Sequence, residues 1–239
     1  MKKVLSLVTG LFFAVVLFAQ QTINDQNATV RDVKGFHGVR VSTGIKLILT
    51  QGTTETVAVS ADKPEERERI RTVVENGILK IYYDYEKWKL WGIDHRRKCR
   101  AYVSIVSVNQ LAATSGANIK VEGVLKTNNL NIHASSGGNI EGNVEVAELE
   151  VDQNSGSLIH ISGSAGRLSV DGSSGSRFQG FDLVTDHCAV GTSSGGNVQI
   201  TVNKELTARA SSGGQVHYKG EGAIRNIHTS SGGNVSRTN

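Results

Sequence analysis

Four side chains in the middle of the chain recur at a spacing that could do chemistry. His133, Asp152 and Asp171 stand 19 residues apart, and Glu150 precedes Asp152 by two. If units of about that length stack, the four groups meet on one outer face. Carboxylates and an imidazole so placed could share the acid–base work of cleaving a glycosidic bond. They could also raise one another's pKa by repulsion, or hold a cation through oxygen and nitrogen ligands. The competing reading is a solvated strand face, since acids and histidines at outward positions ordinarily do no more than meet water. That reading takes precedence, so no catalytic residue, metal ligand or cofactor is assigned. A carbohydrate-binding or carbohydrate-processing face using His133, Glu150, Asp152 and Asp171 stands as the alternative.

A second set lies in "YYDYEKWKLWGIDHRRKCR", residues 82–100, which holds both tryptophans. Trp88, Trp91, Arg96 and Arg97 would suit an exposed aromatic–basic loop that stacks on sugar rings or meets an acidic surface. The competing reading is a long hairpin whose aromatics cap the core.

Several chemistries are excluded by pattern. No GxxxxGK[ST] occurs and no GxGxxG opens a helix, so the many Ser-Gly pairs are not phosphate loops. The calcium-binding GGxGxD repeat lacks its Asp. CxxC and HExxH are both absent.

The elements that must position these residues begin after an export signal. "MKKVLSLVTGLFFAVVLFAQ" has two lysines, an apolar run and then polar residues, the layout of a cleaved signal peptide over residues 1–20. The mature chain carries no second long apolar run and so no expected transmembrane segment. Export places it in the periplasm, at the outer-membrane surface or outside the cell. Removing Lys2 and Lys3 lowers the formal charge from +4 to +2, too little to argue for nucleic acid. With 27 Gly, one Pro and many Val, Ile, Thr, Ser and Asn, the composition reads as all-β.

The Ser-Gly pairs give the architecture. They begin at Ser115, Ser136, Ser155, Ser174, Ser194, Ser212 and Ser231, at intervals of 18 to 21 residues. With each Ser as position 0, position −4 holds Leu111, Ile132, Val151, Val170, Val190, Ala208 and Ile227. Position +4 holds Ile119, Ile140, Ile159, Phe178, Val198, Val216 and Val235. All fourteen are apolar. Position −6 adds Leu130, Leu149, Leu168, Cys188 and Leu206, and position +2 holds only Gly, Ala or Ser. Residues of one parity share a strand face, so these columns predict a parallel β-solenoid with coils of about 19 residues. Parity places each Ser inward, its hydroxyl bonding the backbone at the bend, with Asn118, Asn139, Asn197 and Asn234 just after it in a left-handed conformation. Cys188 takes a Leu place in the core, so Cys99 and Cys188 are expected to be unpaired.

Residues 21–110 lack the repeat but alternate as strands in "GVRVSTGIKLILTQG", "ETVAVSAD", "NGILKIYYD" and "CRAYVSIVSV". They form a β-rich half continuous with the solenoid of 111–239. "KPEERERIRTVVENG" reads as a charged connection with a short helix or turn.

The chain resembles the head GIN domain family of auto-transporter adhesins, common in envelope proteins of Bacteroidetes-type bacteria. The resemblance rests on "FHGVRVSTGIKLILTQGTTETVAVSAD", "VENGILKI" and the copies "LAATSGANIKVEG" and "LNIHASSGGNIEG". It implies a right-handed parallel β-helix-like fold, exported, with no catalytic or ligand residues to carry over. The expected function is a non-enzymatic envelope protein, an adhesin or surface-binding solenoid for a glycan or other cell-surface polymer. A self-associating scaffold that pairs through an open solenoid end is a further alternative.

Overall fold

The computed structural model describes residues 25–85 and 98–238. It is a β-solenoid of about seven turns with coils of about 19 residues. In the second half each coil is one long strand ended by a tight turn: β9 (Asn118–Ala134), β10 (Asn139–Gln153), β11 (Leu158–Gly172), β12 (Arg177–Thr192) and β13 (Asn197–Ala210). Successive strands pair in parallel. The +4 column from Ile119 to Val235 and the −4 column from Leu111 to Ile227 therefore run in register up the molecule. From Leu111 to Ala208 and from Ile119 to Val216 these side chains are at most 4% exposed. Each of these apart from the smaller Ala208 contributes about 1.5–3 kcal/mol by burial.

The turns explain the Ser-Gly pairs. Every Ser at position 0 has φ between 48° and 52°, and every Gly after it has φ between 69° and 77°. Two positive φ values in succession define a type I′ turn. It is closed by a hydrogen bond of 2.8–3.2 Å from the N–H at +2 to the carbonyl at −1. The turns are themselves laddered: from Gly116 to Gly213, each Gly N–H donates to the Ser carbonyl of the next coil at 3.0–3.2 Å.

This geometry corrects the parity reading at the bend. The Ser side chains face solvent, because two left-handed residues swing the chain out of strand alternation. The left-handed residue is the Ser itself, whereas Asn118, Asn139, Asn197 and Asn234 begin the following strands. The inward hydroxyls sit two residues later. Ser157 Oγ donates to the Ala134 carbonyl at 3.0 Å and Ser176 Oγ to that of Gln153 at 3.3 Å. Position +2 stays small because the previous coil's backbone passes close: a Cβ on Gly138 would lie 2.1 Å from the Ala113 carbonyl oxygen.

The first half supplies an eighth turn. Thr43 and Gly44 have φ of 58° and 73°, and Gly44 N–H donates to the Ser115 carbonyl at 3.0 Å. The strands before and after it, β2 (Gly38–Val41) and β3 (Lys46–Gln51), lie in the solenoid's two arms. Val39 aligns with Leu111 and Leu47 with Ile119. β8 (Gln110–Ala113) joins β2 to β9. The remaining strands close this end. On one arm β6 (Ile78–Tyr83) pairs with β2 and, antiparallel, with β5 (Ile70–Glu75). On the other, β7 (Arg100–Ile105) pairs with β3 and, antiparallel, with β4 (Thr56–Ser60), which carries the short β1 (Thr29–Arg31).

One expectation changes here. The charged stretch 63–77 is only partly a connection: helix α1 (Pro64–Glu68) is followed by β5, and Asn76–Gly77 forms a second type I′ turn into β6. The strands flanking the aromatic–basic stretch, β6 and β7, belong to different arms and do not pair with each other, and the hairpin expected there falls on 86–97, outside the described residues.

Past β13 the solenoid ends with β14 (Gln215–Lys219), β15 (Ala223–Thr229) and β16 (Asn234–Arg237). Cys99 and Cys188 are buried and not bridged to each other. Cys188 stacks between Leu168 and Leu206, and burial pushes its thiol up to about 12.

Candidate functional site

The predicted outward face exists. Positions −5 and −3 of successive coils carry Asn131 and His133, Glu150 and Asp152, Ser169 and Asp171, Ala189 and Gly191, and Thr207 and Arg209. Each pair lies beside the next in the parallel ladder. Coil stacking thus brings His133, Glu150, Asp152 and Asp171 together, at about 4.8 Å per coil. His133 Nδ1 lies 3.2 Å from Asp152 Oδ2, with the two side chains 35% and 64% exposed. Among the described residues no three His, Cys, Asp or Glu side chains are grouped to hold a metal ion. Among the described residues nothing covers the face, and His133 and Asp152 meet solvent, whereas acid–base and electrostatic catalysis is strengthened by water exclusion.

Two depressions flank this strip. The first is a groove of about 390 Å³ along the corner of the solenoid, running across five coils. Its floor is the −6 column (Leu130, Leu149, Leu168 and Cys188), and its rim carries Glu148, Arg167, His187 and Glu205. Arg167 Nε donates to Glu148 Oε1 at 3.0 Å, and His187 Nδ1 lies 3.6 Å from Glu205 Oε2. A hydrogen bond from Arg225 holds the Glu205 carboxyl below the usual carboxylate range.

The second is a notch of about 310 Å³ between the strip and the turns, lined by Asp152, Asp171, Arg209, Ser173, Ser193 and Ser211. Gly191 opens it. Asp171 leans over this glycine, and a Cβ there would meet Asp171 Oδ1 at 2.4 Å. Two coils separate the Asp171 and Arg209 backbones, about 9.6 Å, and the Asp171 carboxylate reaches into that span over Gly191, with serine hydroxyls along one side. Carboxylate, guanidinium and hydroxyl groups gathered in one notch suit a ring bearing several hydroxyls.

Sequence reasoning weighted the acids and missed Gly191 and Arg209, although both stand in the same −3 column. The signal was the gap: a glycine in a column of polar side chains marks a place where something can approach. Trp88, Trp91, Arg96 and Arg97 lie outside the described residues. At the edge of that stretch the Tyr83 and Tyr85 rings meet edge to face at 5.1 Å, with Tyr83 buried and Tyr85 exposed.

Comparison with solved structures supports the architecture. The chain is similar to a protein from Bacteroides fragilis described as a "putative adhesin", with 16% identity, a TM-score of 0.78, and 90% of this chain and 98% of that one covered. A "putative adhesin" from Parabacteroides merdae matches at 16% identity and a TM-score of 0.70, over 89% and 95% of the two chains. A "putative lipid binding protein" from Parabacteroides distasonis matches at 18% identity and a TM-score of 0.69, over 90% and 98%. At such identities the likeness speaks for the fold alone. No curated protein matches the chain. A family model matches residues 35–222, from before the Thr43–Gly44 turn to past the Ser212 turn, and the chain belongs to that family, "Putative auto-transporter adhesin, head GIN domain".

Proposed function

We propose that this protein is exported to the cell envelope, is not an enzyme, and binds a glycan or similar cell-surface polymer along the strip between the corner groove and the Gly191 notch. The notch carries the reading. Asp171, leaning over Gly191, and Arg209 line it together with Ser173, Ser193 and Ser211. Carboxylate, guanidinium and hydroxyl groups together can satisfy the donors and acceptors of a polyhydroxylated ring. The strip repeats every coil, which favours a linear polymer lying across the strands over a single small molecule. Export is supported by the leader-like first twenty residues. Among the described residues no helix is long and apolar enough to cross a membrane.

A lipid ligand fits less well. Leu130, Leu149 and Leu168 on the groove floor are at most 2% exposed, which gives an acyl chain little apolar surface to cover. An enzyme reading is disfavoured by the openness of the acid face.

Immobilised envelope polysaccharides titrated with the purified protein test the proposal. Gly191→Gln, which fills the notch, and Arg209→Ala should each weaken binding about tenfold or more, the effect of about 1.4 kcal/mol, with the melting temperature unchanged. Wild-type binding that both variants retain would move the site elsewhere, and no binding to any polysaccharide would remove the glycan reading. New reducing ends, lost in Asp152→Asn, would show an enzyme instead.

A further inference from the structure

We infer that two copies of the chain associate end to end through the coil of β15 and β16, about a twofold axis, with β15 antiparallel to β15. The inference does not depend on the glycan reading. β15 is a seven-residue strand with no buried residue, paired on one side only, with β13. Ile224 and Ile227 stack on Leu206 and Ala208 of the coil below, yet they remain 51% and 38% exposed. β16 likewise has only β14 as a partner among the described residues. Among the described residues the stack thus presents a strand edge with Ile224 and Ile227 of its apolar columns exposed. Natural edges are ordinarily blunted by Lys, Pro or inward-pointing charge.

Here those safeguards are thin. Ala223, Ile224, Asn226, Ile227 and Thr229 are uncharged, and β15 contains no Lys or Pro. Its pairing with β13 is irregular at Arg225, but that cation is engaged by Glu205 of its own chain. Arg237 on β16 donates to the Gly220 carbonyl at 2.7 Å. Neither arginine therefore opposes a second copy with an unbalanced charge.

The occupant follows from this symmetry. An axis between Arg225 and Asn226 sets Ile224 against Ile227 of the partner subunit, and the twofold repeats that contact. Both isoleucines are on the core side, so the apolar columns become continuous across the junction. A twofold contact closes on itself and stops at two copies. One coil of about 19 residues per copy approaches the roughly 20–30 residues a side of a standard interface, which predicts a dimer of moderate affinity.

Light scattering and sedimentation of the purified protein from low to high micromolar concentration test this. Dimer is expected to grow with concentration and stop there. Ile227→Lys should weaken self-association about 30-fold or more, the size expected of a central contact, while Val30→Lys at the opposite end leaves it unchanged. A Cys placed at Asn226 should form an intermolecular disulfide, because antiparallel neighbours across that axis lie within bridging distance. Both native cysteines are buried and would not compete. A monomer at all concentrations overturns the inference, as does a dimer that Ile227→Lys leaves intact. Assemblies that grow beyond two copies would overturn the twofold geometry.

Discussion

The two ends of this solenoid solve the same problem differently. A stack of coils exposes its core at both ends, and repeat proteins ordinarily cover that core with atypical terminal units. At the first end the chain changes its pairing. β1, β4 and β5 run antiparallel to their neighbours, and Ile70, Leu79 and Ile81 are all within 2% of full burial. The side of the coil that β3 and β8 leave open is closed by Gln51, whose amide nitrogen donates to the Val106 and Lys126 carbonyls while its oxygen accepts from Lys126 N–H. At the other end of the described residues the parallel pairing continues, with an irregularity at Arg225, and Ile224 and Ile227 remain exposed. Stability must therefore be unequal along one continuous sheet, high in the middle coils and falling to little in β15.

Substitutions at equivalent positions should sharpen that contrast. The largest difference is expected in the −4 column. Ile132→Ala removes a 2%-exposed side chain and should cost about 2–5 kcal/mol. Ile227→Ala, the same position two-fifths exposed, should stay within about 0.5–1 kcal/mol in the monomer. Chemical denaturation of the two variants measures both, and equal losses would end the comparison. The +2 position comes next. Gly138→Ala drives a Cβ to 2.1 Å from the Ala113 carbonyl oxygen in the closed middle of the stack and should cost about 1–3 kcal/mol. Gly233→Ala meets the Ala210 oxygen at 2.2 Å, but the terminal coil can lift away, so hydrogen exchange should show local opening of 223–237 with little change in global stability.

A smaller effect is expected at the turn glycine. Gly137 has φ of 71° and no atom within 4 Å of where its Cβ would be. Gly137→Val therefore costs only the left-handed conformation, about 1–2 kcal/mol, and less than a +2 glycine would at full overpacking. The smallest effect concerns acid. Burial works to raise the Asp25 carboxyl, but hydrogen bonds from Tyr102 and the Asn27 N–H, with Arg100 beside it, outweigh that and hold it below the usual carboxylate range. A lowered native pKa gives stability that is fully present above the unfolded value near 3.9. That stability is lost as pH falls through the native value. Melting should therefore be indifferent to Asp25→Asn at acid pH below both values and lower than wild type at neutral pH. The loss should appear as earlier exchange in β1 and β4, with the terminal coil unaffected.

Much of this fold was legible because a solenoid writes its geometry into columns. The −6, −4 and +4 positions gave the coil length, the stacking and the burial of Cys188. The small +2 residues marked a close approach, although sequence could not say that the obstacle was the previous coil's carbonyl. Parity failed at the Ser because alternation holds only in extended backbone, and two consecutive left-handed residues break it. The eighth turn escaped notice because Thr replaces Ser and 72 residues separate Thr43 from Ser115, so no period connects them. Its neighbours Val39 and Leu47 carried the signal at −4 and +4. The acid face was found by the same column logic. The notch was not, since a missing side chain becomes a site only when its neighbours' positions are known.

The laddered turns have a consequence for how such a molecule varies. Each turn is tied to the next by one Gly N–H and one Ser carbonyl, a joint that makes no reference to which coil it is in. A coil inserted or deleted between two such joints would leave every hydrogen bond of the ridge intact. The length of the outward strip is then an adjustable ruler, graduated in steps of about 4.8 Å. Its reach can be reset by duplication or loss of a single exchangeable unit, with no redesign of either end.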